Sequence, residues 1–164
     1  MSEEKQMGWT TNLAEPKRGN RFELLLENEL RLTCYSVAIP GIKVEEVAID
    51  RMHEKFYVAG SKVTYDSVKV EFYDFVDNDA SLALKEWYAS IYSQRTSRMG
   101  YPAEYKRDVT LIVYGPDHSI RETWLFIGAF PLDLAYGQLD WKNGTEVRHI
   151  TATLRIDQAK LTLS

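Results

Sequence analysis

Three histidines, one cysteine, an acidic run and a basic, tyrosine-rich stretch are the places where this 164-residue sequence could do chemistry. For metal binding or general acid–base work, His53, His118 and His149 would have to cluster with each other or with carboxylates, as in a helical H-E-x-x-H. They stand far apart instead, in an apolar arm, a turn and a strand, and read as structural or solvated. The run D-F-V-D-N-D from Asp74 to Asp79 has the carboxylate density of a calcium loop but neither its central glycine nor its closing glutamate. Asp77, Asn78 and Asp79 read better as N-cap candidates for the helical pattern that follows. Cys34 can form no intrachain disulfide and, within L-R-L-T-C-Y-S-V, reads as a small buried strand residue.

Arg95, Arg98, Lys106 and Arg107 interleave with Tyr92, Tyr101 and Tyr105, which is the composition of a groove for single-stranded nucleic acid. Against that stands the overall balance, 20 basic residues to 24 acidic ones and a formal charge of −4. Tight phosphate binding needs a basic face. The group therefore reads as a loop rim that pairs with acidic residues of a neighbouring subunit. No nucleophile elbow, phosphate loop or dinucleotide glycine fingerprint occurs. Asn143-Gly144-Thr145 matches a glycosylation acceptor but is assigned to a turn. No enzyme activity, cofactor or metal is expected.

The elements that would position these residues are mostly strands. Phe22, Leu24 and Leu26, then Leu30, Leu32 and Cys34, suggest two strands joined by a turn near Glu27 to Glu29. Val68, Val70 and Phe72 alternate with Lys69, Glu71 and Tyr73 as a half-buried strand. At Leu84, Trp87, Tyr88 and Ile91 the period changes to 3.6, predicting one amphipathic helix from Asn78 to Gln94. A loop through Met99, Gly100 and Pro102 then leads to a strand from Tyr105 to Tyr114. Gly115 to His118 is turn chemistry, returning the chain as a strand from Ile120 to Phe130 that Pro131 ends or places at an edge. Asn143-Gly144 is a two-residue hairpin signal, and Ile150, Ala152, Leu154 and Ile156 mark a final strand. These elements predict a mainly β fold, an antiparallel sandwich or barrel with one flanking helix.

Between them lies a stretch too apolar for a free loop and too interrupted for a core strand. Pro40 removes a backbone donor and Gly41 permits positive φ, so the chain must stop or bend there. Val44, Val47, Ile49, Met52, Phe56 and Val58 then carry more apolar surface than a small domain can cover, and such an extended arm, from Pro40 to Gly60, has a partner. Length predicts a single domain over residues 1–164. With 45% hydrophobic and 27% charged residues the chain is of globular composition. No apolar run reaches bilayer length, and Met1 to Gly8 lacks the apolar stretch of a secretory leader. Trp9, Trp87, Trp124 and Trp141 read as core or interface anchors, and residues 1–20, around Trp9, as a segment that orders on assembly.

Four landmarks occur in a fixed order: I-P-G-I-K-V-E-E-V from Ile39, F-Y-V-A-G from Phe56, P-A-E-Y-K from Pro102 and L-D-W from Leu139. In this the chain, from Phe22 to Leu161, resembles the tail tube proteins of contractile-tailed bacteriophages. The resemblance implies a structural subunit of a virion tail, assembled in the host cytoplasm, whose hexameric rings stack into a hollow conduit for DNA ejection. It also implies its partners: further copies of itself, a sheath protein, baseplate or tube-initiator and tail terminator proteins, and a tape measure protein in the lumen, with DNA passing unbound. Ile39, Pro40, Gly41, Ile42, Val44 and Val47, with Phe56, Tyr57, Val58, Ala59 and Gly60, become the expected inter-subunit surface. Tubes or tube initiators of type VI secretion and extracellular contractile injection systems are the alternative within this class. From another class, the alternative is a small β module that binds a peptide or glycan.

Overall fold

A computed structural model describes residues 16–26, 34–77 and 80–163. The turn expected at Glu27 to Glu29, the candidate caps Asn78 and Asp79, and Trp9 with most of the N-terminal segment lie outside the described residues.

Alternation of apolar and polar side chains produces the central strands. In β5 (Val68–Tyr73) Val68, Val70 and Phe72 are buried, and in β10 (His149–Arg155) Ile150, Ala152 and Leu154 are. The two strands pair antiparallel with these residues on one face. β1 (Phe22–Leu25) pairs β8 (Arg107–Tyr114), and β2 (Cys34–Val37) pairs β5. With β9 (Ile120–Ala135) the order is β1-β8-β9-β10-β5-β2. β1 and β2 are thus at opposite ends of the sheet, not the hairpin pair that their sequence proximity suggested. Leu24, Leu111 and Phe126 from one half join Val70, Phe72 and Leu154 from the other in a single core, so the sheet curls over on itself.

The curl is built around Gly128. β9 pairs β8 as far as Ala129 and β10 from Phe130 onward. β11 (Gln158–Leu163), a strand that the sequence pattern does not predict, continues the line of β10 along the first half of β9 after a break at Ile156 and Asp157. At the break Gly128 has φ +67°, and a Cβ there would lie 2.3 Å from the Asp157 carboxylate. The Gly128 N–H donates to Asp108 Oδ1 at 3.1 Å, and the Asp157 N–H to the Ile127 carbonyl at 2.9 Å. Lys106 holds Asp157 at 2.7 Å. Pro131 does not end β9, which runs on to Ala135. β8 has left by then, so a residue without an N–H sits where one side of the strand has no ladder.

The helix is α1 (Ala80–Ile91), which ends at Ile91 rather than at the expected Gln94. Ala80, Leu84 and Trp87 are buried in the core, and the Trp87 indole donates to the Tyr105 carbonyl at 2.7 Å. Asp74, rather than Asp77, reaches its first turn, accepting the Ser81 N–H at 3.4 Å. The expected loop to Pro102 contains structure: β6 (Tyr92–Ser93) pairs β7 (Arg98–Met99), and α2 (Pro102–Tyr105) follows. Proline at N1 and Glu104, whose carboxylate accepts the Tyr101 N–H at 3.2 Å, start that single turn. Asn143-Gly144 makes no two-residue hairpin. Thr151 pairs with Ala135, which leaves residues 136–148 as one long loop.

Candidate assembly interface

The extended arm of the sequence reading is a β-hairpin. β3 (Ile42–Arg51) and β4 (Glu54–Tyr65) pair antiparallel around a turn at Met52 and His53, and this ribbon forms its own two-stranded sheet. It extends past Gly60, where the arm was expected to end, to Tyr65. The added length carries Val63 and Tyr65, whose alternation matches Ile42 and Val44 across the ladder. At about 3.3 Å per residue, ten residues of β3 give a reach of roughly 33 Å.

The two strands are tied together at the root. The Asp66 N–H donates to the Gly41 carbonyl at 3.0 Å, and Lys43 pairs with Asp66 at 2.7 Å. A Cβ on Gly41 would lie 2.7 Å from the same carboxylate. Close approach, rather than the expected positive φ, is therefore what glycine provides here; the described positive-φ glycines are Gly128 and Gly137. Pro40 is buried in its own subunit and presents no surface to a neighbour, whereas Ile39 beside it is exposed. Between Val44 and Glu46 the register shifts, with Gly60, Ser61 and Lys62 bulging opposite Glu45. Gly60 is needed there, because a Cβ would meet the Glu45 carbonyl oxygen at 2.8 Å.

Every residue of β3 is exposed, as is every residue of β4 except Gly60 and Tyr65. Ile42 is 55% and Val44 53% exposed, while Val47, Ile49, Phe56 and Val58 range from 38 to 46%. Tyr57 and Ala59 are exposed and Met52 projects fully from the turn. The structure thus brings ten of the eleven expected interface residues to the surface or half-exposed, on or beside one ribbon. An isolated two-stranded hairpin is marginally stable in water, and apolar side chains on it gain only from a covering surface. Other exposed apolar groups lie elsewhere: Leu139 and Trp141 on the loop 136–148, and Phe75, Val76 and Leu82 where β5 leads into α1. L-D-W is thus a surface feature, and of the described tryptophans Trp141 is exposed whereas Trp87 is core.

The candidate chemical residues are dispersed. His53 is in the hairpin turn, His118 in the β8–β9 turn at φ +60°, and His149 in β10, edge-on to Tyr35 at 6.5 Å. Among the described residues no three His, Cys, Asp or Glu side chains are grouped to hold a metal ion. Cys34 is half-buried in β2 and burial pushes its thiol up to about 12. The basic group is divided: Lys106 pairs with Asp157 of its own subunit and Arg107 lies over the Trp87 ring at 5.3 Å, while Arg95 and Arg98 face solvent. Lys106 is therefore not a rim charge awaiting a neighbour, because the β-break at Asp157 already uses it. Lys17, near the end of the N-terminal segment, bonds to Glu122 and holds its carboxyl below the usual range.

The family model for phage tail tube proteins matches residues 6–158. Tail tube protein gp19 of Enterobacteria phage T4 is 27% identical over 145 residues, covering 85% of this chain and 88% of that protein. In three dimensions the chain is similar to the tube-terminating cap of the anti-feeding prophage, with a TM-score of 0.76 at 18% identity over 96% of this chain and 100% of that one. It is also similar to a chain of the sheath–tube complex of the PVC extracellular contractile injection system in its extended state. There the TM-score is 0.70 at 19% identity, over 91% of this chain and 93% of the other.

Proposed function

The chain belongs to the phage tail tube protein family, and on that premise we propose that it closes into hexameric rings that stack head to tail as a hollow conduit, with the β3–β4 hairpin bridging one ring to the next. It is a structural protein of the virion tail. The observation that carries the inter-ring role is the hairpin itself: a ribbon about 33 Å long by strand geometry, anchored at one end, with apolar side chains that its own subunit leaves uncovered. A contact that joins one patch to a different patch on the next copy repeats without limit unless it closes into a ring, which is how a tube grows. Lateral closure has its own driving force. Among the described residues β1, β2 and β11 each have a ladder on one side only, and neighbouring subunits in a ring would cover those edges.

In this reading sheath, baseplate or tube-initiator and terminator proteins meet the outside and the ends of the tube. A tape measure protein occupies the lumen until DNA passes, and assembly takes place in the host cytoplasm. The whole chain acts as one tail-tube unit with no catalytic activity. The tube of a contractile injection system is the second reading, favoured by the shared fold of the two injection-system structures; 27% identity to the phage protein, against 18 and 19%, supports the virion.

Negative-stain microscopy of the purified chain across a concentration series tests the proposal. Fibres of constant width with six-fold end views are expected. A chain that stays monomeric at every concentration, with or without polyethylene glycol to drive association, would favour a small β module that binds a peptide or glycan.

A further inference from the structure

Asn143-Gly144 marks a turn in the sequence that the fold does not make. An Asn-Gly hairpin turn of type I′ holds both residues at positive φ between paired strands, and neither is at positive φ here. The dipeptide lies instead in the loop 136–148, all of whose residues are exposed. The hydrogen bonds nearby hold only the residues before the Asn143-Gly144 bond: the Lys142 N–H donates to Asp140 Oδ1 at 2.9 Å and the Asn143 N–H to the Asp140 carbonyl at 3.3 Å. Among the described residues no hydrogen bond holds the Gly144 N–H, and a Cβ placed on Gly144 would meet nothing within 4 Å. The backbone nitrogen next to the Asn143 side chain is thus exposed, unbonded and, glycine having no side chain, unhindered. The other asparagines, Asn12, Asn20, Asn28 and Asn78, precede Leu13, Arg21, Glu29 and Asp79, whose side chains crowd the same nitrogen.

We propose that Asn143 is a site of spontaneous self-modification, converting to aspartate and isoaspartate in the folded subunit. The Gly144 nitrogen attacks Asn143 Cγ and the new C–N bond closes a cyclic imide. The side-chain amide nitrogen leaves as ammonia, taking up the proton that the Gly144 nitrogen gives. Water then opens the imide at one of its two carbonyls. Cleavage at Cγ gives aspartate, whereas cleavage at the backbone carbonyl gives isoaspartate, whose main chain runs through the former side chain. Water is consumed, ammonia is released and neither oxidant nor reductant is needed. Asparagine is a thermolabile residue, and an exposed loop is where such a reaction has room. Either product adds a carboxylate, which takes the subunit one unit below its formal charge of −4. That charge appears beside Trp141 and Leu139, both exposed. A subunit built into a virion is not replaced by synthesis, so the surface around L-D-W changes as the particle ages.

The test incubates the purified full chain at neutral and at mildly alkaline pH. Mass spectrometry follows the peptide from Asn143 to Arg148 that trypsin releases, with the unincubated chain as blank, and an isoaspartyl methyltransferase assay reads the isomer. Conversion should rise with time and with pH, because the attacking nitrogen must lose its proton, and should exceed that at every other asparagine severalfold. Asn143→Gln should abolish the isoaspartyl signal, and Gly144→Ala, whose methyl crowds the nucleophile, should slow it severalfold. Both positions are exposed, so both variants should melt with the wild type. A folded chain that stays intact at Asn143 while the urea-unfolded chain converts would overturn the proposal, since the loop would then protect the pair. Conversion unchanged in Gly144→Ala, or equal at the other asparagines, would overturn it as well. The reaction is read on the unassembled subunit, so its outcome is independent of whether tubes form.

Discussion

Replacing Trp87 by alanine should unfold the subunit at a much lower temperature, and the size of the effect follows from what the indole does. Trp87 is 1% exposed, lies in the core beside Leu84, donates its N–H to the Tyr105 carbonyl at 2.7 Å and carries the Arg107 guanidinium over its ring at 5.3 Å. Truncating a buried tryptophan costs about 3–5 kcal/mol. An orphaned buried carbonyl costs about 1–3 kcal/mol, and part of that is already contained in the first figure. Against a total stability of about 5–15 kcal/mol this is a large fraction. At about 2–4 °C per kcal/mol for a chain of this size, the melting temperature should fall by roughly 6–20 °C. Thermal unfolding of the unassembled subunit by circular dichroism reads it directly. Trp87→Phe, which keeps the ring and loses the donor, should fall between the two. An alanine variant melting within about 2 °C of wild type would refute the placement of α1 against the core.

Gly128→Ala should destabilise by about 1–3 kcal/mol, from the positive φ and from displacing the Asp157 carboxylate that Lys106 holds; an unchanged denaturation midpoint would contradict the bend. The Cys34 thiol, raised from 9.0 to about 12, should resist iodoacetamide at pH 8 in the folded chain and react on denaturation, its thiolate population lower by roughly a thousandfold. Because the unfolded thiol ionises first, stability should also fall above pH 9 and continue falling toward pH 12, by up to about 1.4 kcal/mol per pH unit; a Cys34→Val variant should lack that component. Assembled tubes should bind double-stranded DNA negligibly even at about 10 mM salt, where the Debye length is about 30 Å. Tight, salt-sensitive binding would instead make Arg95 and Arg98 a nucleic-acid site.

The strands that face a core on one side and solvent on the other were legible, because burial imposes a period of two on Val68, Val70 and Phe72 and on Ile150, Ala152 and Leu154. The same logic gave α1 through Leu84 and Trp87. Pairing partners were not legible: β1 pairs with β8, far along the chain, and no local pattern around Phe22 carries that choice. The hairpin was read as an extended arm because its turn, Arg51 to Glu54, has none of the Gly or Asn residues that mark tight turns. Asn143-Gly144 carried that mark and misled, since the register of β10 on β9 overrides a turn propensity. β11 was missed because Asp157 looked like the end of a strand, whereas it is the break about which the sheet bends. Of the candidate interface, the apolar excess was plain from composition.

In the proposed tube, the hairpin from Ile42 to Tyr65 joins successive rings. A cryo-electron microscopy map of the assembled tube, at a resolution that separates strands, tests it most directly. Six subunits per ring are expected, with each hairpin crossing the junction and Ile49 and Phe56 covered by a subunit of the next ring. A junction built from other elements, with the hairpin lying free along the outer wall, would contradict it.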